Sequence, residues 1–293
     1  MLKIGTRDHK IALWQATYTQ AELTRIGVES ELIRFKTEDQ PLSNPDDPEH
    51  SGSYSKEIEA ALLRGELDLA VYSMKDLPAN QAGGLAITAV SERKNPADRL
   101  LIRSNRYSPD ALLKLAPGSL VGASPSRRKA QLQAFRPDLQ LKDIQGDMSS
   151  QLEQLRSGSF DAILLDAAGL EYLAPEMSDL EVFELPPREF VPAPAQGVIA
   201  WQTNRDDIAT RLLLKQIHHP EVSACTNVER RVLQLMAQDH HPGLGVFCER
   251  DPVGNFHVFA ACEIQGQLLR ARLSSSTSFG MAEKVVEALL GKQ

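Results

Sequence analysis

The feature that most constrains this chain is an alternation of strand-like and helix-like segments, broken twice by polar, proline-containing stretches near residues 91–98 and 186–196. Residues 2–6, 30–36 and 67–74 read as strands, and 11–26 and 56–64 as helices. After the first break, residues 100–103, 120–123, 139–144 and 162–165 read as strands, with helices at 125–135 and 148–156. After the second break, a strand at 198–202 and a helix at 208–217 read as a return to the first unit. Such alternation implies α/β lobes with mixed, mainly parallel sheets and ligand sites at the strand C-terminal ends. The last third changes character. A helix at 221–237, strands at 246–249, 256–264 and 268–274, and a helix at 281–290 read as a small separate α+β domain. The expected division is therefore 1–92 with 196–217 as a discontinuous first lobe, 97–190 as a second lobe, and 218–293 as a third domain.

Composition narrows the function classes. The chain has 293 residues and a net charge of −7, which disfavours nucleic-acid or anionic-membrane binding, because those surfaces attract basic proteins. No apolar run approaches the roughly 20 residues that span a bilayer, and charges at Lys3, Arg7, Asp8 and Lys10 leave no signal-peptide core. Cys225, Cys248 and Cys262 are odd in number and show no ligand spacing. These features lead us to expect a soluble, cytoplasmic, monomeric protein with no metal. The pair His240-His241 does not change that expectation, since adjacent loop histidines diverge.

Three segments carry candidate chemistry. In 122–128 (GASPSRR), Ser124 is the expected N-cap and Pro125 the first helical residue, with Arg127 and Arg128 offering planar donors to an anion at the helix start. In 73–78 (SMKDLP), Lys75 and Asp76 follow a strand end, where a carboxylate could stabilise a cation or move a proton. In 6–9 (TRDH), Arg7 is expected to face the same cleft, Asp8 to cap the next helix, and His9 to titrate near neutrality.

Taken together, these segments resemble the porphobilinogen deaminase (hydroxymethylbilane synthase) family. The resemblance rests on Thr6-Arg7 with 12–16 (ALWQA), on 73–78, on Ser126-Arg127-Arg128 with Gln131-Leu132, and on 160–163 (FDAI) with Ala168-Gly169-Leu170. Ala195-Gln196-Gly197 and Val228-Glu229-Arg230 continue it, so it runs from about Ile4 to Leu290. It implies three domains, two of them like the lobes of a binding protein. It also implies head-to-tail joining of porphobilinogen with loss of ammonia, on a dipyrromethane cofactor held by a cysteine thioether. By the same resemblance Asp76 matches the catalytic aspartate and Lys75 its neighbour. Arg7, Arg127 and Arg128 match ligand-binding arginines, and Gln196 lies in the matching interdomain segment.

The chain departs from the family pattern at several of these positions. His240 stands at or next to the anchoring cysteine, in 238–243 (QDHHPG). Gln145-Gly146-Asp147 replaces an Arg-Gly-Asn motif, Gln151 and Tyr172 replace arginines, His9 replaces a serine, and Ser51-Gly52 replaces a Lys-Gly element. A thiolate is a far better nucleophile than an imidazole. The expectation is therefore a divergent member without dipyrromethane, binding a smaller anionic or pyrrolic molecule through Arg7, His9, Ser124, Arg127, Arg128, Gln145, Asp147 and Gln196. An active hydroxymethylbilane synthase with an unusual anchor, and a non-catalytic sensor, remain alternatives.

Overall fold

The computed structural model describes residues 1–36, 56–237 and 243–291. In the first lobe, β1 (Leu2–Arg7), α1 (Lys10–Arg25), β2 (Ser30–Phe35), α2 (Lys56–Leu63) and β3 (Leu69–Ser73) precede a 3₁₀ turn at Met74–Asp76 and β4 (Leu85–Val90). The second lobe contains β5 (Asp98–Arg103), β6 (Leu120–Gly122), α3 (Ser126–Phe135), β7 (Gln140–Lys142), α4 (Met148–Arg156), β8 (Ala162–Asp166), α5 (Ala167–Leu173) and β9 (Leu180–Leu185). The chain then returns through β10 (Ile199–Asn204) and α6 (Ile208–Leu214). It ends with α7 (Pro220–Met236), β11 (Gly245–Arg250), β12 (Phe256–Ile264), β13 (Gln267–Ser275) and α8 (Met281–Leu290).

The first two sheets have matching topology. Their orders are β2-β1-β3-β10-β4 and β7-β6-β8-β5-β9. In each sheet four strands run one way, and the reversed strand, β10 or β5, is the one that enters directly from a crossing. The sheets are thus mixed but mainly parallel. The C-terminal ends of β1 and β3, and of β6 and β8, bear the loops through which the lobes face each other.

Central strands read as continuous apolar runs because helices cover both faces. On β5, Leu100 and Ile102 pack with Val121, Leu132 and Leu164, while Leu101 turns to Leu152, Leu155 and Ile163 on the opposite face. The return strand is locked by Trp201, which is fully buried and donates its indole N–H to Thr19 Oγ1 on α1 at 2.8 Å. In the C-terminal unit, Pro220 starts α7 where no amide donor is needed. Cys225, Val228, Val232 and Met236 then form its buried stripe against the β11-β12-β13 sheet and α8. The β12–β13 hairpin turns on Gln265 and Gly266, both at positive φ (52° and 77°), as a two-residue hairpin requires.

Elements β4, β9 and α5 do not emerge from the sequence pattern. α5 has only seven residues, including Gly169, and β9 is an edge strand with only its end residues buried. Among the described residues, no helix is long and apolar enough to cross a membrane.

Candidate active site

The seam between the lobes is built from strand ends and the turns that follow them. From the first lobe come Arg7, at the end of β1, and Lys75 and Asp76, in the turn after β3. From the second lobe comes Asp166, the last residue of β8. Lys75 Nζ pairs with Asp166 Oδ2 at 3.0 Å across the seam. Burial opposes the charge on both groups. The acids Asp166 and Asp76 outweigh it to raise the Lys75 pKa, while Lys75 and Arg128 outweigh it to lower that of Asp166. Two further contacts cross the seam. Trp14 stacks on Tyr172 with ring centroids 4.1 Å apart, and Lys10 donates to Ser149 Oγ at 3.0 Å. Asp76 stays open, with 45% of its side chain exposed and, among the described residues, only a loose ion pair to Arg7 at 3.6 Å.

The helix starts differ from the sequence expectation in a consistent way. His9, not Asp8, caps α1, its Nδ1 accepting from the Ala12 amide at 3.3 Å, because His9 is the residue immediately before the helix. Its ring keeps open surface, yet the atoms crowded around it disfavour charge. Burial and then Arg7 lower its pKa to about 4 against the pull of Asp76, Asp147 and Asp8, so it does not titrate near neutrality. Asp147 caps α4 and Asp166 caps α5 through their carboxylates. At α3 the expected Ser124 cap is replaced by Pro125, which supplies no side-chain bond. The helix begins one residue later than the pattern suggests. Ser124 Oγ instead donates to Asp143 and accepts from the Ile144 amide, both at 3.3 Å.

The depressed His9 pKa has a measurable consequence. Between pH 6.5 and about 4 the unfolded chain takes up a proton at position 9 that the folded chain resists. This residue's contribution to stability is therefore intact above pH 6.5 and falls as pH drops. His9→Asn keeps a capping side chain. In urea titrations it is expected to lose less stability than the parent on going from pH 7 to pH 4. Equal losses would remove the assignment.

Arg127 and Arg128 are not solvated cleft arginines; they are 2% and 7% exposed. Arg127 Nη1 lies 2.8 Å from Asp98 Oδ2, a close ion contact without aligned hydrogen-bond geometry, and donates to the Val191 carbonyl at 2.8 Å. Arg128 reaches Asp98 Oδ1 through Nε and Nη2 at 3.1 and 2.7 Å, and the carbonyls of Ser124 and Leu164 through Nη1. Burial opposes the charge on Asp98, but the two guanidinium groups together hold its carboxyl well below the usual range. Gln196 is 1% exposed and donates to Asp98 and to the carbonyls of Pro96 and Ala97, which places it in the hinge between the crossing strands. Gln145 and Asp147 lie exposed at the start of α4, where Gln145 offers its carbonyl to Gln154. His240 and His241 lie outside the described residues, as do the segment 44–50 and Ser51-Gly52.

Three residues that shape the site escaped sequence reasoning as site groups. Asp98 and Asp166 sit in apolar runs whose ends carry no motif of their own. Arg230, noticed only as part of a motif, donates from α7 to the carbonyls of Met74, Leu77, Pro78 and Ala79. It thereby holds the turn that carries Lys75 and Asp76, and burial lowers its pKa to about 10. Its neighbour Glu229 is fully buried. It pairs with Arg93 at 2.6 Å and accepts from the amides of Ala195 and Cys248, tying α7 to both crossings.

Comparison with known proteins gives the family. Residues 2–211 match the family model described as porphobilinogen deaminase, dipyromethane cofactor binding domain. A porphobilinogen deaminase of Chloroherpeton thalassium is 36% identical over 263 residues, covering 87% of this chain and 81% of that protein. One from Chromobacterium violaceum is 37% identical over 83% of this chain and 78% of its own length. One from Streptococcus sanguinis is 33% identical over 100% of this chain and 96% of its own length. The expectation that dipyrromethane is absent is overturned, since the matched region is the family's domain for binding that cofactor. With the match spanning both lobes and the relatives extending through the C-terminal unit, the chain belongs to the porphobilinogen deaminase family.

Proposed function

We propose that the seam between the lobes is a pyrrole-processing site of the hydroxymethylbilane synthase type, with Asp76 as the carboxylate that stabilises cationic pyrrole intermediates. The observation that carries this reading is the availability of Asp76. Among the described acids around the seam, Asp98 is held by two buried arginines, Asp166 pairs with the half-buried Lys75 and Asp147 caps α4, whereas Asp76 remains half open beside Arg7. A carboxylate held near developing positive charge, in a site partly closed to water, acts far more strongly than one in bulk solvent.

The residues around the α3 start fit a carboxylate-bearing dipyrromethane. Arg127 Nε is buried and has no hydrogen-bond partner among the described residues. Gly243 packs so closely on this helix start that an added Cβ would lie 3.0 Å from Ser126 Oγ and 3.2 Å from the Arg127 amide nitrogen. Arg127 and Lys75 would hold the carboxylates of the cofactor. When bound, the cofactor supplies the pyrrole carbon on which the product chain grows. Around it, Arg7 orients the acidic side chains of the substrate, Arg230 fixes the turn, and Trp14 with Tyr172 screens the seam from water.

The test is incubation of purified protein with porphobilinogen, measuring ammonia and linear tetrapyrrole, together with intact mass and mapping of segment 238–242. Ammonia released with pyrrole consumption is the expected result. An unmodified mass with no consumption would overturn the reading.

A further inference from the structure

Away from the seam, a cavity of about 350 Å³ lies where the first crossing meets the C-terminal unit. Its wall includes Arg93, Pro96, Cys225, Phe247 and Cys248. Cys225 precedes Glu229 by one turn of α7, so both side chains share a helix face. Glu229 Oε1 accepts from the Cys248 amide at 2.7 Å, which brings β11 onto that face. Both cysteines belong to one buried cluster, at 8% and 1% exposure, and Cys225 is the more open to the cavity. The thiols act on each other: hydrogen bonding with Cys248 pulls the Cys225 pKa down, and the same interaction pushes Cys248 up. The remaining cysteine, Cys262 on β12, is 0% exposed and absent from the cavity wall, and burial pushes its pKa up to about 11.

We propose that Cys225 and Cys248 form a reversible oxidation site, reached through this cavity by a small oxidant of the peroxide class. The thiolate is the reactive form, and Cys225 is the cysteine that has both the access and the neighbour to favour it. In the first step the Cys225 sulfur attacks one peroxide oxygen. The O–O bond breaks, hydroxide leaves, and the sulfur becomes a sulfenic acid. In the second step the Cys248 sulfur attacks that sulfur, the S–O bond breaks, and water leaves once a proton is supplied. The net change is two thiols and one hydrogen peroxide to one disulfide and two waters. The disulfide would tie α7 to β11 beside the Glu229–Arg93 pair. Reduction by an external dithiol restores both thiols.

The experiment uses the whole protein treated with hydrogen peroxide, then unfolded, alkylated with iodoacetamide and mapped by mass. The expected product is a Cys225–Cys248 linked peptide lacking two hydrogens, with Cys262 alkylated, and full alkylation of all three after dithiothreitol. Cys225 is expected to react at least about tenfold faster than Cys262. In Cys248→Ser the first step proceeds but the second cannot, and dimedone should label the Cys225 sulfenic acid. Three alkylated cysteines after peroxide, equal oxidation of Cys262, or a disulfide between two chains would each overturn the proposal. Should Cys248→Ser fail to fold, the linked peptide in the parent protein still decides.

Discussion

Replacing Asp98 with alanine is expected to lower the unfolding free energy of the second lobe by about 3–5 kcal/mol, among the largest effects of any single change in the chain. The carboxylate is fully buried and holds two guanidinium groups that are themselves nearly buried. Its removal does not merely delete favourable contacts. It strands two desolvated positive charges that share one carboxylate, where low polarisability makes their repulsion and their lost hydration costly. It also removes one partner of Gln196, and thus loosens the hinge between the crossings. Asp98→Asn keeps nearly the same volume and separates charge from cavity. It is expected to retain most of the loss, since an amide cannot balance two cations. Urea denaturation followed by tryptophan fluorescence and circular dichroism measures both variants. A loss below about 1 kcal/mol for both would place the charges in a much wetter environment than their burial implies.

Asp76→Ala is expected to reduce turnover of porphobilinogen by about 10²–10³-fold while leaving stability within about 0.5 kcal/mol. The two halves of this expectation come from the same fact. The Asp76 side chain is 45% exposed and, among the described residues, makes only a 3.6 Å ion pair, so its loss removes little that holds the fold. The turn that carries it is held instead through backbone carbonyls by Arg230. Loss of the carboxylate would therefore remove charge stabilisation without moving the turn. Steady-state consumption of porphobilinogen, with a denaturation curve on the same preparation, separates the two. A turnover within tenfold of the parent would shift the catalytic role to another group.

Much of the architecture was legible because local periodicity reports which face of an element is apolar. Strand β13 alternates, β12 is a near-continuous apolar run and helix α8 repeats its apolar face, and the sequence boundaries for β12 and α8 coincide with the observed ones. The two proline-containing breaks fall where the chain leaves and rejoins the first sheet. Where the pattern failed, the physical cause is identifiable. α5 is too short for a period to register, and the caps at His9 and Pro125 depend on where the helix begins to within one residue. The motif at 126–132 was visible, but its meaning was not. Gln131 exchanges hydrogen bonds with the Val191 backbone, and both arginines turn inward to an aspartate from another strand.

Residue spacing along the chain determined most of the elements and their order, with β4, β9 and α5 excepted, together with the two crossings of the chain and the family. Tertiary structure alone decided which charges meet. Lys75 pairs with Asp166 across 91 positions, and Arg93 with Glu229 across 136. No local rule links such residues. Closure of two matching sheets brings their strand ends together, and the partner each charge finds there settles whether it is bound into the fold, as Arg128 is, or stays half open, as Asp76 does.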